Sequence, residues 1–176
     1  ARLGFLGGHA IVGGQMPMAA GLALAAQYRG EDRLALCIFG DGAVNQGEFH
    51  ETINLASLWK LPVFFLLENN GFGMGTRVER ACAQPDIYKL AERHNVKAKR
   101  ADGMDVLEVH RAAQEAVAFI RGGHGPYFLE LLTYRFRGHS MADPIEYRKK
   151  QEVDPWLARD PIIAAKEIAT LDWQSQ

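Results

Sequence analysis

Two short runs of uninterrupted apolar residues, LALCIF (34–39) and VFFLL (63–67), mark the first half of the chain. Runs of this length, closed by Gly40 and preceded by Pro62, predict strands buried on both faces. Between them Phe49, Ile53 and Ala56 recur at helical spacing, which predicts a helix over 45–59 that Pro62 bars from continuing. Upstream, 16–28 (MPMAAGLALAAQY) predicts a buried helix whose small residues allow close packing, with Pro17 in its first turn. Downstream come a Gly-rich loop (71–75), a short helix over 86–94 with Asp86 near its start, and a strand from Val96 to Arg100. A helix over 106–121 follows, capped by Asp102 or Asp105 and ended by Gly122 and Gly123, with Val106, Val109, Ala113, Val117 and Ile120 on one face. A strand over 127–136, a polar loop over 137–155 and a helix from Pro161 to Leu171 complete the pattern.

Strands alternating with helices predict an α/β fold, a mainly parallel sheet with helices on both faces. Ligands of such sheets bind beyond the carboxyl ends of the strands. Asp41, Asn70 and Arg135 all stand at or just past such ends. Gly40-Asp41-Gly42 closes the first strand and Asn69-Asn70 the second, which sets a carboxylate beside a carboxamide at one edge of the sheet. A hard cation such as Mg2+ wants oxygen ligands of this kind, shared with a phosphate. Asp41 offers a charged oxygen, Asn70 a neutral one and the Phe72 carbonyl a third. Glycines at 40 and 42 let a phosphate approach the backbone, and the helix start near Asn45 and Gln46 favours an anion. Glu48 and Glu51 read as helix-dipole partners. Gly-Asp-Gly by itself is common in surface turns; its placement with the Asn pair at strand ends is the specific part.

The wider string GDGAVNQGEFHETINLASLWKLPVFFLLENNGFGMGT (40–76) resembles the alpha subunit of the decarboxylating component of 2-oxo acid dehydrogenase complexes, and its two ends resemble a thiamine diphosphate motif. The resemblance continues through GGHAIVGGQMPMAAGLALA (7–25), ADGMDVLEVHRAAQEA (101–116), GPYFLELLTYRFRGHSMADP (125–144) and EYR (146–148), so it covers most of the chain. It implies a thiamine diphosphate-binding fold holding that cofactor and Mg2+. Asp41, Asn70 and Phe72 would hold the metal. Ala10, Val12, Asp41, Gly42, Ala43, Asn70, Arg135 and His139 would contact the cofactor, with Ala10 and Val12 acting through their backbone. Arg135 and His139, which otherwise read as exposed loop residues, become diphosphate contacts, and His139 a candidate catalytic group. The family often carries Gly where this chain has Ala10.

Within the family the HSMADP string (139–144) most resembles members that act on pyruvate, decarboxylating it and passing the acetyl unit to a lipoyl group; branched-chain 2-oxo acid and acetoin dehydrogenases are the alternative. No glutamate of this chain is placed to activate the cofactor. The resemblance assigns that group to a beta subunit across an alpha2-beta2 interface, so the chain is expected to be inactive alone, with a lipoyl-bearing acyltransferase as a further partner. Mitochondrial relatives are phosphorylated at the position of Ser140. The implied compartment is the cytoplasm in bacteria and the mitochondrial matrix in eukaryotes.

Composition narrows the rest. A chain of 176 residues with 48% hydrophobic and 23% charged residues predicts one globular domain over 1–176. A net charge of −1 supplies no field for nucleic acid or an anionic membrane. No apolar stretch is long enough to span a bilayer. Cys37 and Cys82 read as buried free thiols. There is no G-x-x-x-x-G-K-[ST] loop, which argues against a generic Mg-nucleotide domain. Asp41 and Asn70 together argue against a non-catalytic assembly module. The first residues already lie within the family pattern, so the chain is expected to be a piece of a longer subunit.

Overall fold

The computed structural model describes residues 4–174. Four strands form one wholly parallel sheet: β1 (Ala35–Gly40), β2 (Val63–Asn69), β5 (Lys97–Asp102) and β6 (Tyr127–Leu132), in the order β1-β2-β6-β5. Two-residue strands β3 (Phe72–Gly73) and β4 (Thr76–Arg77) form a separate antiparallel hairpin. The helices are α1 (Gln15–Tyr28), α2 (Gly47–Leu58), α3 (Val78–Ala81), α4 (Tyr88–Glu92), α5 (Val106–Arg121), α6 (Lys150–Leu157) and α7 (Pro161–Gln174). Among the described residues no helix is long and apolar enough to cross a membrane.

The period of two along each strand sorts side chains between two cores. Cys37, Phe39, Phe65, Leu67 and Phe128 face α1, α2 and α4, meeting Met16, Ala23, Phe49, Ile53 and Ala91. Phe64, Tyr127, Leu129 and Leu131 face α5, meeting Ala112, Ala116 and Ile120. Helices therefore lie on both faces, as the alternation of elements requires. Phe39, Phe49 and Phe128 pack edge to face with centroids 6.1–6.2 Å apart, the arrangement that aromatic quadrupoles favour. Both cysteines are free and buried, and burial pushes the Cys37 thiol up to about 12, which leaves it protonated at neutral pH.

Several expectations are corrected. The helix expected over 45–59 starts at Gly47, because Asp41–Asn45 form a 3-10 turn and Gln46 adopts an extended conformation that separates the two. The loop expected over 71–75 holds β3 and the turn of the hairpin, which β4 completes at Thr76–Arg77, with left-handed backbone at Gly71 and Met74. The strand expected to reach 136 ends at Leu132, where its partners β2 and β5 also end. The polar stretch 137–155 is not all loop, since α6 begins at Lys150. In α5 the fully buried stripe is Ala112, Ala116 and Ile120, with Val109, Ala113 and Val117 partly buried against the same core as expected, while Val106 at the exposed start is half open. Only one side of α1 is buried, through Met16, Ala19, Ala23 and Ala26, while Met18, Leu22 and Leu24 are exposed. The short helix expected over 86–94 is trimmed to Tyr88–Glu92, and the strand expected from Val96 runs over Lys97–Asp102. Asp105, not Asp102, caps α5, accepting from the Leu107 and Glu108 amides at 2.9 and 3.1 Å.

Candidate functional site

Parallel pairing of β1 with β2, Gly40 opposite Glu68, carries the 3-10 turn after β1 and the last residues of β2 to the same sheet edge. Asp41 opens that turn and is almost wholly buried at 2% exposure. Its Oδ1 accepts the Asn70 backbone N–H at 3.3 Å, and no ion pair reaches it among the described residues. Burial raises its pKa above the usual carboxylate value; its own and the Asn70 amides and the Arg135 charge pull it back, and Glu130 pushes it further up. The Asn70 carboxamide oxygen is buried and has no hydrogen-bond partner among the described residues. A buried anion without a cation and a buried oxygen without a donor are both costly, and both are satisfied by one hard metal ion. Among the described residues no three His, Cys, Asp or Glu side chains gather as a ligand cluster, so neutral oxygens and a phosphate would complete the shell.

The hairpin closes over this edge. Gly42 and Gly73 approach so nearly that a Cβ on Gly42 would lie 3.3 Å from the Gly73 Cα, so a side chain at either position would force the neighbouring backbone to give way. The contact sets the Phe72 carbonyl beside the turn. That carbonyl already accepts a long 3.4 Å bond from Arg135 Nη1, and its second lone pair stays open. The Ala43 side chain is packed in the core, so only its backbone can serve a ligand.

Arg135 is not a free fork. Its Nε donates to the Arg137 carbonyl at 3.3 Å, and its Nη2 to the Met74 carbonyl at 2.8 Å and the Tyr147 hydroxyl at 3.0 Å. Of five N–H groups, one on Nη1 is left for a ligand. His139 is exposed; its backbone N–H donates to Asp143 Oδ2 at 2.7 Å, and its ring has no hydrogen-bond partner among the described residues. Ser140 beside it is also exposed, its carbonyl closing a turn with the Asp143 amide at 3.1 Å. Ala10 and Val12 lie in an exposed loop, and no hydrogen bond joins them to Asp41 or Asn70. The end of that loop does reach the site's border, because Gly13 abuts the Gln46 side chain.

Tyr147, Asp143 and Arg148, outside the expected set, complete the geometry. Tyr147 accepts from Arg135 and donates to Asp143, which also accepts from the His139 and Ile145 amides. Buried Arg148 lies against the Phe72 and Tyr134 rings, 4.6 and 4.8 Å from their centroids, and donates to the Arg135 carbonyl. The Tyr147 hydrogen bond, with the two amides, holds Asp143 down to about 2. A carboxyl depressed in the fold supports the loop above its ordinary value of 3.8, and that support is lost as pH falls toward 2. Tyr147→Phe is expected to return the Asp143 pKa toward 3.8 and speed proteolysis of the 138–148 loop; a carbon-detected NMR titration of the carboxylate checks the first effect, and an unmoved pKa would count against it.

Residues 1–172 match the family model described as dehydrogenase E1 component. The chain is 51% identical over 167 residues to a pyruvate dehydrogenase E1 component subunit alpha from Rhizobium meliloti (strain 1021), covering 94% of this chain and 48% of that one. It is 48% identical over 165 residues to the somatic, mitochondrial form of the same subunit from Homo sapiens, covering 93% and 42%. The chain thus spans about half the length of the curated relatives it matches. A solved structure from Mycobacterium smegmatis, described as a candidate thiamin diphosphate-dependent enzyme, shares the fold with a TM-score of 0.52 at 23% identity, over 68% of this chain and 22% of that one.

Proposed function

Because this chain belongs to the dehydrogenase E1 component family, we propose that it forms the diphosphate-holding part of a thiamine diphosphate site in the alpha subunit of a pyruvate dehydrogenase. The observation that carries the reading is the pairing of buried, cation-free Asp41 with the unpartnered Asn70 oxygen at the ends of adjacent parallel strands. Asp41, the Asn70 oxygen and the Phe72 carbonyl would hold Mg2+. The backbone at Gly42 and Ala43 would lie against the diphosphate, where the close Gly42–Gly73 approach leaves no side chain in the way. Arg135 would give its remaining N–H to a phosphate oxygen while its other donors keep the hairpin in place. The exposed His139 ring would be open to the cofactor or substrate, and Ala10 and Val12 would offer backbone groups.

Thiamine diphosphate, when bound, supplies the nucleophilic carbon and the electron sink for decarboxylating a 2-oxo acid. The chain's own contribution is to neutralise and orient the diphosphate end. The acidic group that activates the cofactor comes from a beta subunit, in an alpha2-beta2 assembly that passes the acetyl unit to the lipoyl group of an acyltransferase component. The test is decarboxylation of pyruvate and of 2-oxoisovalerate by the full-length subunit assembled with its beta partner. Preference for pyruvate is expected; preference for the branched acid would reassign the protein to the branched-chain members.

A further inference from the structure

Strand β6 reads YFLELL, and its one charged residue, Glu130, is completely buried. Glu130 Oε1 accepts from Asn69 Nδ2 at 2.6 Å and from Arg100 Nη2 at 3.2 Å. Its Oε2 accepts from Arg100 Nε at 3.0 Å and from the Tyr88 amide at 3.1 Å. Those four donors fill the roughly four lone-pair sites of a carboxylate. Arg100 is steadied in turn by Asp86, which accepts from its Nη1 at 2.8 Å and from Lys89 at 2.6 Å.

A buried ion pair of this kind is a weak source of stability, since an apolar pair of similar volume commonly does as well. Its geometric consequence is more specific. A carboxylate only accepts, so the Asn69 carboxamide can turn only its NH2 toward Glu130. Its oxygen is thereby directed to the Gly71 amide, which donates at 3.0 Å and closes the turn that Gly71 makes in the left-handed region, φ +78°. Asn70 sits inside that turn. Its N–H reaches Asp41 and its carboxamide oxygen is the unpartnered one. The Asn69 carbonyl also accepts the Thr133 amide at 2.9 Å, tying the end of β2 to the end of β6.

We propose that Glu130, clamped by Arg100, is a positioning residue for the cation site, acting through Asn69 to set the turn that aims the Asn70 oxygen. This rests on the Asp41–Asn70 cation site described above. Glu130 is not itself one of the proposed ligands; its partners are Asn69, Tyr88 and Arg100. A neutral amide at position 130 presents a donor as well as an acceptor, so it no longer dictates which way the Asn69 carboxamide points. Partners one step behind a metal ligand are worth roughly 10–100-fold in metal affinity.

The experiment is a titration of Mn2+, read by electron paramagnetic resonance, into the full-length subunit assembled with its beta partner and saturated with thiamine diphosphate, beside thermal melts. Glu130→Gln and Asn69→Ala should each weaken Mn2+ binding on the order of 10–100-fold in protein that is folded at the assay temperature. The double variant should be no weaker than the worse single one, because both changes cut the same chain of contacts. Wild-type affinity in folded Glu130→Gln, or losses that add, would overturn the positioning role while leaving the cation site standing. Should Glu130→Gln fail to fold, Asn69→Ala decides alone, since it leaves the Glu130–Arg100 pair intact; unchanged affinity there overturns the proposal. A wild-type assembly that takes up no Mn2+ overturns the cation site and the proposal together.

Discussion

Asp41→Asn is expected to abolish Mg2+-dependent binding of thiamine diphosphate while raising the melting temperature of the cation-free protein. The two effects have one origin. Asp41 is buried with no ion pair among the described residues, and burial raises its pKa. Its folded pKa exceeds its unfolded one, so the group favours folding when protonated and that advantage is lost as pH rises through the raised value. An amide of the same shape carries no charge to desolvate and can still accept the Asn70 N–H. A gain of about 1 kcal/mol would lift the melting temperature by roughly 2–4 °C in a protein of this size. The same change removes the one charged oxygen of the ligand set. Loss of a partner behind a ligand costs roughly 10–100-fold, and loss of the ligand's charge should exceed that. Calorimetric titration with and without Mg2+, beside a melt in chelator, reads both signs. Retained metal-dependent binding by the variant would remove Asp41 from the site; a melting temperature that falls would mean that the carboxylate is compensated by contacts within the protein.

The strands that build this edge were legible because each is a continuous apolar run ending in a residue whose chemistry is conspicuous there: Asp41 after LALCIF, Asn70 after VFFLL. Parallel order and helices on both faces followed from alternation alone. Less legible were features whose cause lies far away in sequence. Arg135 looks like a free phosphate fork in the sequence, yet its donors go to carbonyls of a hairpin about sixty positions earlier. The hairpin itself depends on Gly42 meeting Gly73, a contact between two loops that local propensity does not encode. The break at Gln46 is a backbone choice between a 3-10 turn and a helix, for which the sequence supports either. Glu130 did leave a signal, a lone carboxylate in the middle of YFLELL, but its partners Asn69, Tyr88 and Arg100 come from three other segments. A charged residue flanked on both sides by buried strand residues is therefore the pattern most worth following toward a site.

Phe49→Ala is expected to do the reverse of Asp41→Asn: a large loss of stability with little change at the site. Phe49 is fully buried on α2 and holds Phe39 of β1 and Phe128 of β6 edge to face. Truncating such a ring costs about 3–5 kcal/mol through lost burial and the cavity left behind. Against a total of roughly 5–15 kcal/mol for a whole domain, that is a substantial fraction, so denaturant midpoints should fall sharply while the slope holds. The turn that carries Asp41 is anchored separately, by the β1–β2 register, the Asn70 amide and the Gly42–Gly73 contact, none of which passes through the Phe49 ring. The protein that remains folded should consequently bind Mn2+ within a few-fold of wild type. The pair of variants separates what stabilises the fold from what shapes the site. A Phe49→Ala protein whose cation affinity collapses along with its stability would mean that the site is set by the tightness of the core as a whole, and that the chain of contacts through Asn69 and Glu130 is one route among many.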